Sequence, residues 1–208
     1  MDDYYIDEKK AVDSFFEIVP IEIVKKIIDQ FYIKDSFIHG VSHWSRVFYY
    51  GKVLSELSTL DVENIAYFSI FHDSRRFNDD YDPEHGLRGA EFFRTFDRII
   101  KLSNEQKEVI YEACKIHNYQ KQSDSLEVGV CLDSDRVDLI RVGITPNNDY
   151  LHSIHSKNDD FKKTSKDFSL NNLKETKLSN KIISGIYDLN LDKKYDLNIF
   201  EKIKKTHG

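Results

Sequence analysis

Breakers of helix are scarce in this chain, with 8 Gly and 3 Pro among 208 residues, and its apolar residues recur at spacings of three and four rather than two. That period lines one face of a helix, whereas strands need alternation and turn-forming residues. The expectation is an all-α fold, a single helical bundle over 1–208. Pro20 opens a helix, PIEIVKKIIDQF, in which Ile21, Val24, Ile27, Ile28 and Phe31 form one apolar stripe. Ser42 is placed to cap a second helix through Trp44, Val47, Phe48, Val53 and Leu54, with His43 in its first turn. Asp61 can cap DVENIAYFSIFHD, which is almost continuously apolar from Ile65 and therefore central, and which ends on His72 and Asp73.

The polar run from Ser74 to Asp82 predicts a loop, and Pro83 starts a helix carrying Glu84, His85, Arg88, Glu91 and Phe92. Ser103 begins a capping box for a helix ending near His117. Leu126 to Ile144 predicts a further helix, interrupted by Asp133, Asp135, Arg136 and Asp138 and stopped by Pro146. Residues 152–180 turn to Lys, Asp, Asn and Ser, as expected of a loop or loosely packed cover with no chemistry of its own. A short amphipathic helix from Tyr187 to Lys205 closes the domain, whose motif-bearing core is 39–145.

Charge narrows the partners. With 30 Lys+Arg against 36 Asp+Glu the formal net charge is −6, which opposes indiscriminate attraction to a nucleic-acid scaffold but leaves room for a basic cleft. Met1 to Lys10 is acidic, unlike a secretory signal, and the apolar stretch Ile65 to Phe71 is far shorter than the roughly 20 residues of a membrane helix. The cytoplasm is the expected location, without membrane contact. Cys114 and Cys131 form neither a metal-type pair nor a disulfide framework and read as reduced, structural thiols.

Seven histidines and aspartates fall at expected helix ends: His39, His43, His72, Asp73, His85, His117 and Asp135. Imidazole and carboxylate without thiolate suit divalent Mn, Fe, Co, Ni or Zn. Consecutive helical residues point about 100° apart, so His72 and Asp73 cannot easily face one ion. Asp73 bridging two ions, with His72 on one of them, would resolve this. Asp133 rivals Asp135 as a ligand from another face of its helix, and Asp138 has an alternative partner in a neighbouring arginine. His152, His155 and His207 stand in polar surroundings and read as solvated.

The segments HGVSHWSRV, FHDSRRFND, DPEHGLRGAEF and LDSDRVDLIRVGI, carrying a His, His-Asp, Asp order, resemble the HD-domain phosphohydrolase superfamily, in particular its small bacterial members. The resemblance covers His39 to Ile144. It implies metal ligation by His43, His72, Asp73 and Asp135, with His85 and His117 matching the extra histidines of two-metal members. The GYP segment of the cyclic-di-GMP-cleaving branch is missing.

The reaction so implied is attack of metal-bound hydroxide on the phosphorus of a nucleotide or other small phosphate ester, with one or two divalent ions as cofactor. His39, Arg46, Arg76 and Arg88 are the candidate substrate contacts, since guanidinium matches phosphate oxygens. Arg76 also serves as a catalytic candidate with Asp73, and Asp79 or Glu84 as acid for the leaving group. Trp44, Tyr49 and Tyr119 offer stacking surfaces or core. Two other readings stay open: a di-iron oxygenase with the same ligand order, and a non-catalytic module whose metal only organises the helices.

Overall fold

The computed structural model describes residues 4–190, and every regular element within them is a helix. In chain order these are α1 (Glu8–Ile18), α2 (Ile21–Asp29), α3 (Val41–Ser58), α4 (Val62–Phe71), α5 (His85–Arg94), α6 (Asn104–Ile116), α7 (Leu126–Arg136), 3-10 helices at Val137–Val142 and Asn148–Tyr150, then α8 (Asp159–Asn171) and α9 (Lys177–Asn190). No helix among the described residues is long and apolar enough to cross a membrane.

The apolar run after Asp61 decides the architecture. From Asn64 to Phe71 every residue of α4 is buried, as a helix apolar all round must be. Helix α3, buried from Ser42 to Ser55, packs beside it, with α6 and α7 completing the surround and α5 laid against α6. Helices α1, α2 and α9 close the other end, where Phe15 meets Phe48 edge-on at 5.1 Å. Since α4 ends in the interior, His72 and Asp73 are carried there with it, 0% and 2% exposed.

Helix boundaries follow the expected chemistry in part. The capping box at Ser103 forms in full, its Oγ accepting from Gln106 N at 3.2 Å and the Gln106 side chain accepting from Ser103 N at 3.0 Å. Asp61 occupies the N-cap position of α4, yet its carboxylate instead accepts from Gln106 Nε2 at 3.2 Å. Ser42 is not a cap. Gly40 holds that position, and the Ser42 hydroxyl donates to the carbonyl oxygen of Lys174.

The helix expected over 126–144 divides at Arg136, where a 3-10 helix takes over until Gly143, at φ 79°, turns the chain away. Side chains three apart eclipse in a 3-10 helix, so Asp138 and Arg141 stand one above the other. Their Oδ2 and Nε are 3.6 Å apart.

The expectation of a loop over 152–180 is corrected. Asn158 caps α8, and Phe161, Ser165 and Ser169 are buried while its charged residues face outward. Composition concealed this because serines do the work of core residues: Tyr50 OH donates to Ser165 O at 3.0 Å and lies 2.6 Å from Ser169 Oγ. Of the closing helix expected from Tyr187, the first residues lie in α9, which begins earlier at Lys177; the rest fall outside the described residues, as does His207.

Two glycines let α5 approach its neighbours. A Cβ on Gly86 would sit 2.6 Å from Cys114 O and 3.1 Å from His117 Nδ1, and one on Gly89 would sit 2.5 Å from Phe71 O and 2.9 Å from His72 O. Both obstacles are backbone or ring atoms that hold site residues. Gly89→Ala is expected to lower stability by roughly 1–3 kcal/mol, the usual cost of overpacking, as read from denaturant midpoints, and to weaken metal binding through displacement of His72.

Candidate metal centre

Five helix ends deliver the site. His43 comes from the first turn of α3, His72 and Asp73 from the end of α4, His85 from the start of α5, His117 from the end of α6 and Asp135 from α7. The side chains form two buried trios, His43, His72 and Asp135 in one and Asp73, His85 and His117 in the other. All six sequence-expected ligands are therefore brought together.

Distances fit cations. In the first trio His43 Nε2 is 3.1 Å from His72 Nε2 and 3.2 Å from Asp135 Oδ1, with His72 Nε2 3.9 Å from that oxygen. In the second, His85 Nε2 is 2.9 Å from His117 Nε2, and these nitrogens are 3.2 and 3.5 Å from Asp73 Oδ1. An ion about 2.1 Å from each donor separates adjacent donors by about 3.0 Å in an octahedron and about 3.4 Å in a tetrahedron. Asp73 joins the trios: its other oxygen, Oδ2, lies 3.6 Å from both His43 Nε2 and His72 Nε2. The poor helical spacing of His72 and Asp73 thus becomes a bridge.

Hydrogen bonding fixes which ring nitrogen faces inward. His43 Nδ1 donates to Asp138 Oδ2 at 2.7 Å, His72 Nδ1 to Ser69 O at 3.0 Å, His117 Nδ1 to Cys114 O at 2.7 Å, and His85 Nδ1 to Asp82 O. Each acceptor is a carbonyl or carboxylate with no proton to give, so every Nδ1 carries the hydrogen, and in the neutral rings four Nε2 lone pairs converge. Lone pairs 2.9 and 3.1 Å apart repel unless something positive lies between them.

Electrostatics points the same way. Burial lowers His72 to about 3, outweighing the raising effect of Asp73 and Asp135, so the ring is neutral and able to ligate. Burial pushes Asp73 up, but the electrostatic influence of the adjoining His72 and hydrogen bonding with His117, His39 and His85 outweigh it and hold the carboxyl well below its usual range. Asp135 is likewise held low against burial, by His43 and His72. Burial disfavours a charge on His117, yet the hydrogen bond and charge of Asp73 win and raise it.

Of the remaining expected residues, His39 stands just outside α3, its Nδ1 2.9 Å from Asp73 Oδ2, and orients that carboxylate. Arg76 faces the second trio, with Nη1 3.1 Å from His85 Nε2 and 3.6 Å from Asp73 Oδ1. Arg46 is a correction. It is 0% exposed and donates from Nε to Asp138 at 2.9 and 3.1 Å and from Nη1 to the carbonyls of Asn172 and Leu173, out of reach of a substrate. Arg88 is another, clamped on Asp82 at 2.6 Å over the Phe77 ring, where it secures the loop whose Asp82 carbonyl holds His85.

Asp79 and Glu84 are exposed and stand outside the cleft, Asp79 accepting from Ser36 Oγ at 2.6 Å, so neither serves as an acid there. Asp133 is no ligand, because its carboxylate takes the backbone N–H groups of His152 and Ser153 and the Ser156 hydroxyl. His152 is correspondingly enclosed rather than solvated, with Nε2 accepting from Ser123 N at 2.8 Å. Trp44 and Tyr49 are core, and both cysteines are free and buried.

The centre opens into a cleft of about 410 Å³ whose walls include Arg76, Asn118, Tyr119, Arg136, Arg141 and Tyr150. Sequence reasoning did not find Arg141 or the role of Asp138 as His43's orienting carboxylate. The available signal was a pair of opposite charges three apart inside an apolar run, VDLIRV, which a buried helix carries only when both are partnered. Comparisons with protein-family models, curated proteins and solved structures returned no match for this chain.

Two outcomes follow. Metal analysis of protein purified without chelators should find divalent metal that Asp73→Ala removes from both trios, while Asp138→Asn weakens binding about 10- to 100-fold by freeing the His43 ring. The metal-free chain should also lose stability in acid. Asp135 and Asp138 are held low in the fold, Asp138 against burial by the charge of Arg46 and a hydrogen bond from His43. Below about pH 4 the unfolded chain therefore takes up protons that the folded chain refuses, and denaturant midpoints measured against pH should fall there.

Proposed function

We propose that the protein is a metal-dependent phosphohydrolase of the HD-domain type, acting on a nucleotide or other small phosphate ester. The observation that carries this reading is one buried carboxylate, Asp73, shared by two trios of inward-facing donors on the floor of a cleft walled by arginines. The donor set, imidazole and carboxylate without thiolate, suits Mn²⁺, Fe²⁺, Co²⁺, Ni²⁺ or Zn²⁺. Such ions, when bound, lower the pKa of water from about 15.7 toward about 7 and neutralise charge on phosphoryl oxygens.

The chain's own residues do the rest. Asp73 is kept ionised and oriented by His39, so both its oxygens remain available to the two trios. Arg76 is immobilised by donating from Nε to Asn78 O at 3.2 Å and from Nη2 to Asp80 O at 2.8 Å, which holds its charge beside Asp73 without reorganisation. Tyr119, 63% exposed, and Tyr150, 45% exposed, give the cleft aromatic surface for the organic part of the ester.

Protein loaded with Mn²⁺, Ni²⁺ or Co²⁺ and incubated anaerobically with a panel of nucleotides and sugar phosphates should release phosphate or nucleotide products. Asp73→Asn should reduce the rate by about 100-fold or more, as expected when a group that holds catalytic charge is lost. Absence of release with every metal would overturn the reading; iron-dependent oxygen uptake in its place would mark an oxygenase.

A further inference from the structure

Three arginines line the cleft, and their surroundings differ. Arg136 is engaged through both terminal nitrogens by backbone carbonyls, Lys121 O at 3.0 Å, Tyr150 O at 2.5 Å and Gln120 O. Arg76 is spent on Asn78 O, Asp80 O and the His85 ring. Arg141 is incomplete. Its side chain is 3% exposed, its Nε donates to Ile38 O at 2.8 Å, and its Nη1 is buried with no hydrogen-bond partner among the described residues.

Asp138, 3.6 Å from Arg141 Nε, does not meet this need, because its oxygens already take His43 Nδ1 at 2.7 Å, Arg46 Nε at 2.9 Å and Ser169 Oγ at 2.6 Å. A buried cationic N–H without an acceptor is costly, and at the cleft wall an acceptor from outside the chain would offset that cost. Arg46 Nη2 is also unpartnered, but that side chain is wholly enclosed and does not line the cleft, so a ligand cannot reach it.

We propose that Arg141 anchors an anionic oxygen of the ligand, a phosphoryl oxygen on the reading of the cleft given above, in the role the sequence suggested for Arg46. The position suits it. Arg141 grips Ile38 O while the next residue, His39, bonds Asp73 at 2.9 Å, so the anchor and the shared carboxylate hold adjacent residues of one segment. Charge agrees: Arg76, Arg136 and Arg141 outnumber Asp73 and Asp135 on the cleft wall, and divalent ions would widen the excess, which selects a ligand carrying at least two negative charges. Leu139, Ile144 and Pro146, also on the wall, leave apolar space for the remainder of an ester.

Calorimetric titration of inorganic phosphate into wild type, Arg141→Lys and Arg141→Met tests the anchor. Each protein is used both Mn²⁺-loaded and metal-free, with manganese content and thermal midpoint recorded alongside. Arg141→Met should weaken phosphate about tenfold or more, the loss of one charge-assisted hydrogen bond, and Arg141→Lys by less, with manganese content unchanged. Equal affinity in the three chains overturns the proposal, as does a wild type that binds phosphate in neither form. A wild type that retains no manganese sinks the metal centre instead, and the metal-free titration then decides the anchor. If Arg141→Met fails to fold, Arg141→Lys, which keeps a cation beside Asp138, carries the comparison.

Discussion

The charge of Asp73 is the constraint around which this bundle is arranged. A carboxylate 2% exposed has lost nearly all its hydration, a penalty of several kcal/mol that only positive charge and directed hydrogen bonds offset. His39 and Arg76 face the carboxylate from the loops, and the imidazoles of His43 from α3, His72 from α4, His85 from α5 and His117 from α6 converge on it as donors that would hold a compensating cation. Each helix must therefore end within a few ångströms of the same point. The packing serves that geometry, with glycines on α5 where it meets the end of α4 and the end of α6.

A second layer converts proximity into chemistry. Four imidazoles crowded together could adopt either tautomer; here carbonyls from their own helix turns and loops, and the Asp138 carboxylate, hold each Nδ1–H outward. For three of the rings the acceptor is local backbone. His43 alone depends on a side chain from far along the sequence, and that side chain is fixed by Arg46, Ser169 and Arg141. The arginine expected to touch substrate is thus occupied in holding a ligand's partner, and a later arginine in the same network reaches the cleft.

Much of this was legible in the residues. Period and the shortage of breakers gave the helices, a continuously apolar segment marked α4 as central, and the family resemblance, with its His, His-Asp, Asp order and two extra histidines, implied all six members of the two trios. What escaped had physical causes. Helix α8 was hidden because serines at helical spacing pack against a tyrosine hydroxyl, and a polar composition does not advertise that. Arg46, Asp79, Arg88 and Glu84 were placed by nearness in sequence to histidines, whereas side-chain direction and competing carboxylates decide where a charge points. Asp133 and Asp135 sit two apart on one helix, and only the path of the chain after Tyr150 shows that Asp133 is taken up by backbone.

The hydrogen-bonded chain from Tyr50 through Ser169 and Asp138 to His43 carries a consequence for how the molecule matures. A nascent polypeptide emerging only as far as α7 already possesses every donor residue of both trios, but neither Asp138, which holds the His43 imidazole, nor Ser169, which steadies that carboxylate. Support of the His43 ring is therefore complete only once α8 is docked, which ties the geometry of the first trio to a helix that contributes no donor to it.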